Sequence, residues 1–498
     1  MSKRKAVSIL LTRDPDSTEV FLVERNPKLK FFGGYFAFPG GTLDREDADI
    51  AITNAEAFAP ELLPYLVAAA REVFEETGVL LAEGQAALAP EVRAAYRKAL
   101  LAGERDFTDI LQETGLVLDA AYFHPLCNIT TPEFAPVRYD TQFFWVKVPE
   151  AQAPEIWPGE LVSGAFFRAE DALARWHRGE MLIVPPILLM LKALHGSSVR
   201  AFVSEVRRVG ESYARGALHQ VYFTPGVQMV TLRTATLPPA THTNTYLVGE
   251  SELYVVDPAP SEPAEQARFW DYLDAQLREG RKLRAILLTH HHSDHVGALP
   301  ACQRRYHLPV WAHRHTAEKL AGVRVDRQLD DGEELPLGTS PDGQPGWHLT
   351  VYHTPGHARG HLCFQESRYR ALLAGDLIST VSTIVISPPE GHLATYLRSL
   401  ERLETLADGT LYPSHGPAVR DGRAVVRYYL QHRREREQKL LQALSATPQS
   451  LRDLVQQVYD DVEPNLWPLA ERSLLAGLEK LMEEEKCERV GEAYRRVA

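Results

Sequence analysis

The chain has 498 residues, which is long enough for two or three domains that each bury a hydrophobic core. Its net charge of −12, from 54 basic and 66 acidic residues, argues against broad electrostatic attraction to nucleic acid or to an anionic membrane. The four widely spaced cysteines, and the lack of any apolar run near the roughly 18 residues of a membrane span, predict a cytoplasmic protein with reduced thiols and no membrane association.

Residues 1–198 alternate strand-like and helix-like segments, and we take them as one domain. Strands are predicted over 5–12, 19–24 and 143–148, and helices over 66–77 and 185–194. The first two strands are expected to pair with each other, and Gly78 is expected to end the first helix. A polar linker is predicted over 199–226, and part of it could be helical.

Three glutamates share one face of the predicted helix 66–77. Glu72, Glu75 and Glu76 stand at positions i, i+3 and i+4, so their like charges repel, and no Lys or Arg lies between Glu72 and Gly78. A hard divalent cation with oxygen ligands, Mg²⁺ or Mn²⁺, would relieve the repulsion. The alternative is an acidic helix face that is merely solvated.

The residues around this helix resemble the Nudix box. The stretch 71–79 reads Arg-Glu-Val-Phe-Glu-Glu-Thr-Gly-Val and matches the second half of the box, while Gly40 and Gly41 match its opening. An insertion, 44–60, separates the two halves, and Leu63 stands where the family has a glutamate. The resemblance implies an α/β/α sandwich that cleaves a diphosphate bond with Mg²⁺ or Mn²⁺.

The resemblance also implies roles for individual carboxylates. Glu75 and Glu76 would be metal ligands, and Glu72 would be a ligand or the catalytic base that activates water. A further carboxylate is expected from a later loop, and both Glu133 and Glu160 are candidates.

The segment 21–41 resembles the coenzyme A diphosphatase signature found upstream of some Nudix boxes. Its spacing is kept, but Val, Asn and Lys replace the Thr, small residue and Arg of the signature. The resemblance implies a nucleoside-diphosphate-linked substrate such as CoA or acyl-CoA. Arg25 and Lys30 are expected to meet its phosphates, and the alternative is that both are solvated surface cations.

The sequence pattern changes at residue 227, and we take 227–425 as a second domain. Strands are predicted over 245–248, 253–256, 347–353, 361–365 and 369–374, and a helix over 262–279. Strands and helices that alternate, with polar groups on the connecting loops, suggest an α/β sandwich.

Residues 288–297 read Leu-Thr-His-His-His-Ser-Asp-His-Val-Gly. They place His290, His292, Asp294 and His295 directly after an apolar run. Imidazoles and a carboxylate at this density indicate a transition-metal site. A polar loop with chance histidines is the alternative, but the chain has only 19 His in 498 residues, which disfavours chance clustering.

Later motifs complete a set that resembles the metallo-β-lactamase superfamily. His357 lies in His-Thr-Pro-Gly-His, Asp376 in Leu-Leu-Ala-Gly-Asp and His415 in Tyr-Pro-Ser-His-Gly. The resemblance implies an αββα sandwich with two metal ions. It implies His290, His292 and His357 for one ion, Asp294, His295 and His415 for the other, and Asp376 between them.

Zinc is expected for both of these ions, with Mn²⁺ or Fe²⁺ as alternatives. Water held between two such ions would lose a proton near neutral pH and become a hydroxide nucleophile. We also expect Asp294 to take part in catalysis. His353 and His361 are expected to support the ligands rather than to bind metal.

Residues 426–498 are charged and mainly helical. Helices over 451–459 and 469–485 and a hairpin over 487–497 predict a winged-helix module, which resembles the C-terminal part of the β-lactamase-like protein 2 branch of the superfamily. With 11 basic and 13 acidic residues over 431–498, the module is a poor general binder of nucleic acid. We favour a packing element that lines one side of the active cleft.

The sequence therefore predicts a bifunctional hydrolase with two different metal centres. One domain would cleave a diphosphate in a nucleotide-type small molecule, and the other would hydrolyse a phosphodiester or a thioester. The alternative is a single-stranded RNA endoribonuclease whose first domain recognises the substrate. The sequence does not specify an oligomeric state.

Overall fold

The computed structural model describes residues 3–14, 16–30, 32–85, 88–133, 135 and 137–497. Contacts between residues divide the chain into two compact units, Met1–Phe223 and Thr224–Ala498. No helix within the described ranges is both long and apolar enough to cross a membrane.

The first unit is built from short sheets and helices. Its strands are β1 (Arg4–Thr12), β2 (Glu19–Arg25), β3 (Phe36–Ala37), β4 (Ile52–Thr53), β5 (Ala82–Glu83), β6 (Val117–Asp119), β7 (His124–Thr130), β8 (Tyr139–Lys147) and β9 (Leu161–Arg168). Its helices are α1 (Leu63–Thr77), α2 (Pro90–Leu101), α3 (Phe107–Thr114), α4 (Ala169–His177), α5 (Pro185–Leu194) and α6 (Val199–Ala214).

The predicted strands of this unit are present, but one predicted pairing is wrong. β1 hydrogen-bonds β8 in parallel, and β8 pairs with β7 in antiparallel fashion. β2 lies in another sheet, between β3 and β9. β1 and β2 are therefore not a hairpin, because each takes its partner from more distant parts of the chain, which no local pattern reveals.

Helix α1 forms the centre of the first core. Leu66, Ala70, Val73 and Phe74 are fully buried, which leaves the glutamates on the other side of the helix. The helix ends at Gly78, as predicted, where a positive φ of 71° suits glycine.

The segment predicted as a polar linker is largely helix α6. Its apolar residues Val199, Phe202 and Val206 recur at helical spacing and are buried in a core cluster of the first unit. Because this stripe has a core to pack against, the segment is part of the first unit rather than a free connection.

The second unit begins within strand β10 (Val221–Thr224), which spans the boundary. Its other strands are β11 (Val227–Arg233), β12 (His242–Gly249), β13 (Glu252–Val256), β14 (Lys282–Leu287), β15 (Val310–Ala312), β16 (Arg327–Gln328), β17 (Glu334–Gly338), β18 (Trp347–His353), β19 (Leu362–Glu366), β20 (Leu372–Ser379), β21 (Leu411–His415), β22 (Gln449–Ser450), β23 (Cys487–Val490) and β24 (Ala493–Arg496). Its helices are α7 (Pro263–Arg278), α8 (Ser293–Val296), α9 (Leu299–Tyr306), α10 (Arg314–Ala317), α11 (Leu393–Leu406), α12 (Gly422–Ala443), α13 (Leu451–Val458) and α14 (Trp467–Glu483).

Two sheets of this unit pack face to face between helices. Strands β11 to β16 follow one another in the first sheet, and β17 to β21 in the second. Asn244 on β12 joins the sheets by donating to the carbonyl of Pro413 on β21 at 2.8 Å. Helix α7 packs on the first sheet and α11 on the second, which gives the predicted αββα sandwich.

The C-terminal part has the predicted helices and hairpin. Ser450 caps α13 by accepting a hydrogen bond from the Asp453 backbone, and β23 pairs with β24. The β22 strand adds a third strand to this small sheet. Leu454, Leu474 and Leu481 are buried in its core, as the helical spacing requires.

Candidate active sites

The histidine-rich motif follows β14 and turns directly into the short helix α8. His290 and His295 are fully buried, and His292 is the residue before the first turn of α8. A parallel strand that feeds a helix places the intervening loop at the carboxyl edge of the sheet, where ligand sites are common. The fold thus positions this cluster where it can meet residues from the second sheet.

The first group of side chains is His290, His292 and His357. The Nδ1 atom of His292 lies 3.0 Å from Nε2 of His290 and 2.9 Å from Nε2 of His357. The three nitrogens lie within 4.8 Å of one another, which is the arrangement needed to hold one metal ion.

The second group is Asp294, His295 and His415, whose ligand atoms also lie within 4.8 Å of one another. The Oδ2 atom of Asp294 is 3.8 Å from Nε2 of His295 and 3.6 Å from Nε2 of His415. The structure therefore brings together residues that are more than a hundred positions apart in sequence.

Asp376 lies between the two groups. Its Oδ1 atom is 3.4 Å from Nε2 of His295 and 3.3 Å from Nε2 of His415, whereas its Oδ2 atom is 3.5 Å from Nε2 of His357. One carboxylate thus offers a separate oxygen to each group, as a residue that bridges two ions would.

Two buried atoms at this centre fit bound cations. Nε2 of His295 and Oδ1 of Asp376 have no hydrogen-bond partner among the described residues. Buried polar atoms normally have one. Because imidazole nitrogen and carboxylate oxygen are the ligand types of zinc and similar ions, the residues present fit such metals.

The outer nitrogens of three histidines are fixed by hydrogen-bond acceptors. Nδ1 of His295 lies 2.9 Å from a carboxylate oxygen of Asp257. Nδ1 of His357 lies 3.1 Å from the carbonyl of Val385, and Nδ1 of His415 lies 2.9 Å from the carbonyl of residue 242. An acceptor at Nδ1 sets the ring so that Nε2 faces the centre.

Asp257 is a functional residue that sequence reasoning missed. Its other partners are Thr289, whose backbone N–H donates at 2.8 Å and whose hydroxyl donates at 2.5 Å. Asp257 also lies close enough to His290 and His295 to form a third candidate metal group. Because its oxygens are engaged by Thr289 and by the outer nitrogen of His295, a supporting role fits better. The Asp-Pro pair directly after the apolar strand β13 was the available signal.

Burial lowers the pKa of some histidines at this centre, whereas neighbouring carboxylates raise the pKa of another. Burial, together with His295 and His292, holds the pKa of His290 well below its usual value, and burial lowers the pKa of His357 to about 4. Burial alone would lower the pKa of His295, but the carboxylates of Asp376 and Asp294 outweigh it and raise that pKa. His290 and His357 are therefore neutral near pH 7, as metal ligands must be.

His361 supports Asp376 through the backbone, and His353 lies to one side. Nε2 of His361 accepts a hydrogen bond from the N–H of Asp376 at 3.0 Å, and its Nδ1 lies 2.9 Å from the hydroxyl of Thr354. His353 stacks on His313, with 4.1 Å between ring centroids. Neither histidine belongs to the metal groups found in the described part of the chain.

Helix α12 reaches the loop that supports His357. The hydroxyl of Tyr429 accepts from the N–H of Ser379 at 2.9 Å and lies 2.7 Å from the carbonyl of Ser382. Arg433 donates to the carbonyl of Ile384, the residue before the Val385 carbonyl that contacts His357. The helix thus anchors this loop from behind.

The first unit brings the separated halves of its carboxylate motif together. The N–H of Gly40 donates to a carboxylate oxygen of Glu76 at 2.9 Å. A Cβ atom on Gly41 would lie only 2.4 Å from a carboxylate oxygen of Glu72, so alanine there would displace that carboxylate. The insertion 44–60 therefore does not keep the two halves apart in space.

The three carboxylates of α1 are crowded and partly withdrawn from water. Burial raises the pKa of Glu72 to about 7 against the opposing charge of Arg71. Burial and the charge of Glu72 raise the pKa of Glu76 to about 8, and burial raises the pKa of Glu75. Glu72, Glu75 and Glu76 are not among the metal groups found in the described part of the chain, so their fit to a hard cation such as Mg²⁺ rests on their oxygen chemistry.

Of the other residues predicted for this site, two lie near the carboxylates of α1 and two lie in loops. Glu160 and Arg25 both act electrostatically on Glu76, and the backbone carbonyl of Glu160 accepts from the residue after Arg25 at 2.7 Å. Lys30 is exposed in the following loop, and Glu133 lies between β7 and β8. Arg25 and Glu160 are thus beside the carboxylates.

Comparison with protein families places the second unit. Residues 238–415 match the metallo-beta-lactamase superfamily, and residues 450–496 match the beta-lactamase associated winged helix domain. A beta-lactamase-like protein 2 homolog of Drosophila melanogaster is 28% identical over 256 residues, which are 49% of this chain and 83% of that protein. An atrochrysone carboxyl ACP thioesterase of Cryptosporiopsis sp. (strain 8999) is 29% identical over 206 residues, 41% of this chain and 58% of that protein.

A NUDIX hydrolase from Alicyclobacillus acidocaldarius is a solved structure that resembles part of the chain. It is 30% identical and covers 41% of this chain and 96% of its own, with a TM-score of 0.35. The family matches, in contrast, agree with the αββα sandwich and the terminal hairpin module described above. The second unit contains a metallo-β-lactamase domain followed by a β-lactamase-associated winged helix domain, and the protein is a metal-dependent hydrolase.

Proposed function

We propose that the protein is a bifunctional hydrolase in which the second unit uses two metal ions to hydrolyse a thioester and the first unit cleaves a diphosphate bond. The position of Asp376 carries the proposal for the second unit. One of its oxygens faces His295 and His415 and the other faces His357, so that two ions could share a single carboxylate.

The side chains of the second unit prepare this centre for hydrolysis. His290, His292 and His357 would hold one ion, and Asp294, His295 and His415 would hold the other. Divalent ions bound there would lower the pKa of a water molecule and polarise the carbonyl under attack. Asp257 and the backbone acceptors at His357 and His415 fix the ring orientations that this requires.

A thioester is a better supported substrate than RNA. One of the relatives of the second unit is named a thioesterase. In addition, basic side chains of helix α12 are paired with acids: Arg427 with Glu404, Arg436 with Asp461 and Lys439 with Asp460. Cations already engaged in ion pairs contribute little to binding a phosphate backbone. The geometry thus gives no particular support to the RNA alternative.

The contacts of Gly40 and Gly41 support the diphosphatase proposal for the first unit. They bring the glycine motif against Glu76 and Glu72, so the fold reunites the motif that the sequence splits. Glu75 and Glu76 would hold Mg²⁺ or Mn²⁺, and Glu72 would bind the ion or take the proton of the attacking water. Arg25 lies near enough to this cluster to meet a phosphate group.

An acyl-CoA would connect the two activities. Hydrolysis of its thioester consumes one water and gives a carboxylic acid and free CoA. Hydrolysis of the CoA diphosphate consumes a second water and gives two phosphate monoesters. The product of one centre would then be the substrate of the other, which gives a chemical reason for one chain to carry both.

The test is a hydrolysis panel of acyl-CoAs, CoA, dinucleoside polyphosphates and single-stranded RNA, run with Zn²⁺ and with Mg²⁺ separately. We expect thioester cleavage to be lost in His292→Ala and diphosphate cleavage to be lost in Glu76→Gln, with each variant keeping the other activity. His348→Ala is the matched control for the histidine, because His348 is partly exposed on β18 and outside the metal groups. Ready cleavage of RNA without turnover of CoA or any acyl-CoA would overturn the proposal.

A further inference from the structure

We propose that Asp47, which the insertion contributes, is a positioning residue for the carboxylate centre of the first unit. The proposal deepens the diphosphatase function proposed above and rests on it. Asp47 lies in the single helical turn Glu46–Ala48, within the insertion 44–60. It is only 1% exposed, although an aspartate in a loop is normally solvated.

Asp47 is buried because it forms a two-pronged ion pair with Arg71. Nε of Arg71 donates to Oδ1 of Asp47 at 3.0 Å, and Nη2 donates to Oδ2 at 3.0 Å. The N–H of Asp44 also donates to Asp47, at 2.8 Å. Parallel hydrogen bonds of this kind fix the plane of the guanidinium as well as its position.

Arg71 turns its remaining nitrogen towards the carboxylate centre. Its Nη1 atom donates to Glu72 at 3.0 Å and to Glu75 at 3.3 Å, and Nη2 also donates to the carbonyl of Thr42 at 2.9 Å. The guanidinium therefore connects the insertion, the backbone directly after the glycine motif and the carboxylate face of α1.

The charge of Asp47 decides how strongly Arg71 competes with a cation for these glutamates. With Asp47 present, the buried guanidinium already has a counter-ion, so Glu72 and Glu75 can turn oxygens towards a metal. Without it, Arg71 would keep only the exposed Asp44, whose Oδ2 lies 3.5 Å from Nη2, and would draw more strongly on Glu72 and Glu75. An unpaired buried charge is costly, so the arginine would then hold them.

The insertion and Leu63 are both departures from the family motif. Leu63 stands where the family has a glutamate, and here it packs against the apolar core at the start of α1. A carboxylate at that position is therefore missing. The insertion supplies a carboxylate, Asp47, to Arg71.

The experiment measures Mn²⁺ binding to the full-length protein by calorimetry, and the part lost in Glu76→Gln defines binding at this centre. We expect Asp47→Asn, which keeps the shape and removes the charge, to weaken that binding at least about tenfold, as loss of a partner behind a metal ligand does. The diphosphatase kcat should fall with it, while the thioesterase activity of the second unit stays unchanged.

Asp49→Asn is the matched control, since Asp49 is exposed two residues away and should bind Mn²⁺ within about twofold of the wild type. Wild-type Mn²⁺ affinity in Asp47→Asn would overturn the proposal. If Asp47→Asn melts the first unit, Arg71→Lys tests the same pair. Lysine keeps the positive charge but cannot donate the two parallel hydrogen bonds of the guanidinium. Unchanged Mn²⁺ affinity in Arg71→Lys would also overturn the proposal.

Failure of the proposed function gives a different result. If the wild type binds Mn²⁺ in a Glu76-dependent way but hydrolyses no diphosphate, the positioning role is still tested by affinity and the diphosphatase function is wrong. Wild-type protein without Glu76-dependent binding would overturn both.

Discussion

The two candidate centres bury charge in opposite ways. The second unit collects imidazoles around one shared carboxylate, and burial keeps His290 and His357 neutral. The first unit collects carboxylates on one helix face, and burial makes Glu72 and Glu76 reluctant to ionise. Nitrogen-rich sites favour zinc-like ions and oxygen-only sites favour Mg²⁺. The two candidate centres would therefore select different ions by ligand chemistry alone.

The largest effect is expected from Asp376→Asn. The neutral amide offers one oxygen instead of two charged ones, so His295 and His357 would no longer share a bridging anion. We expect thioester hydrolysis to fall by about a thousandfold, since several kcal/mol of transition-state stabilisation depend on the ions. Diphosphate hydrolysis by the same molecule should not change. Metal analysis should show less than two Zn²⁺ per chain, and full activity with two bound ions would contradict the bridging role.

The next largest effect is expected from Gly41→Ala. A methyl group there would meet the Glu72 carboxylate at 2.4 Å and push it out of the cluster. We expect diphosphate hydrolysis to fall by about a hundredfold, because small displacements of a catalytic group have effects of that order. Gly159→Ala is the control, since a Cβ at Gly159 meets nothing within 4 Å. If Gly41→Ala kept wild-type kcat, the contact between the glycine motif and Glu72 would have no part in catalysis.

The candidate metal ligands of both centres could be singled out in the sequence, because each set includes a dense local cluster. His290 to His295 and Glu72 to Glu76 are such clusters, and the structure gathers the histidines and Asp294 with His357 and His415 as expected. What supports them could not be found in this way. The acceptor for His357 is a backbone carbonyl, which has no side-chain signature.

The supporting side chains could not be predicted from the sequence because they meet their partners through contacts between distant segments. Asp257 meets Thr289 only because β13 and β14 run in parallel side by side, and Asp47 meets Arg71 only because the insertion folds back onto α1. The same limitation led to the wrong pairing of β1 with β2. Pairings between distant segments follow from packing, which periodicity within a segment does not encode.

The free energy of unfolding of the first unit should depend on pH. In the metal-free protein the pKa of Glu76 is about 8, against an ordinary 4.5, so the folded state binds more protons than the unfolded state between those pH values. The stability of the first unit should therefore fall as pH rises from about 5 to 8. Mg²⁺ added at pH 8 should restore it, because the cation replaces the proton.

Calorimetry with EDTA and with Mg²⁺ at pH 6 and pH 8 measures this effect. We expect the melting temperature of the first unit in EDTA to be a few degrees lower at pH 8, since about 1 kcal/mol shifts a domain of this size by roughly 2–4 °C. Glu76→Gln should flatten the dependence. If the first unit melts at the same temperature at both pH values, ionisation of Glu76 does not destabilise the folded state.

The smallest effect is expected from Tyr429→Phe, which tests whether α12 acts on the centre of the second unit from a distance. The hydroxyl lies 2.7 Å from the carbonyls of Ser379 and Ser382, and the loop they begin leads to the Val385 carbonyl at His357. Its removal loosens a support that is two steps from the metal, so thioester hydrolysis should fall only about three- to tenfold, with faster loss of Zn²⁺ to a chelator. Tyr428→Phe is the control, because Tyr428 is 61% exposed beside it and should change neither rate. Equal Zn²⁺ loss in the two variants would mean that α12 packs against the loop without positioning His357.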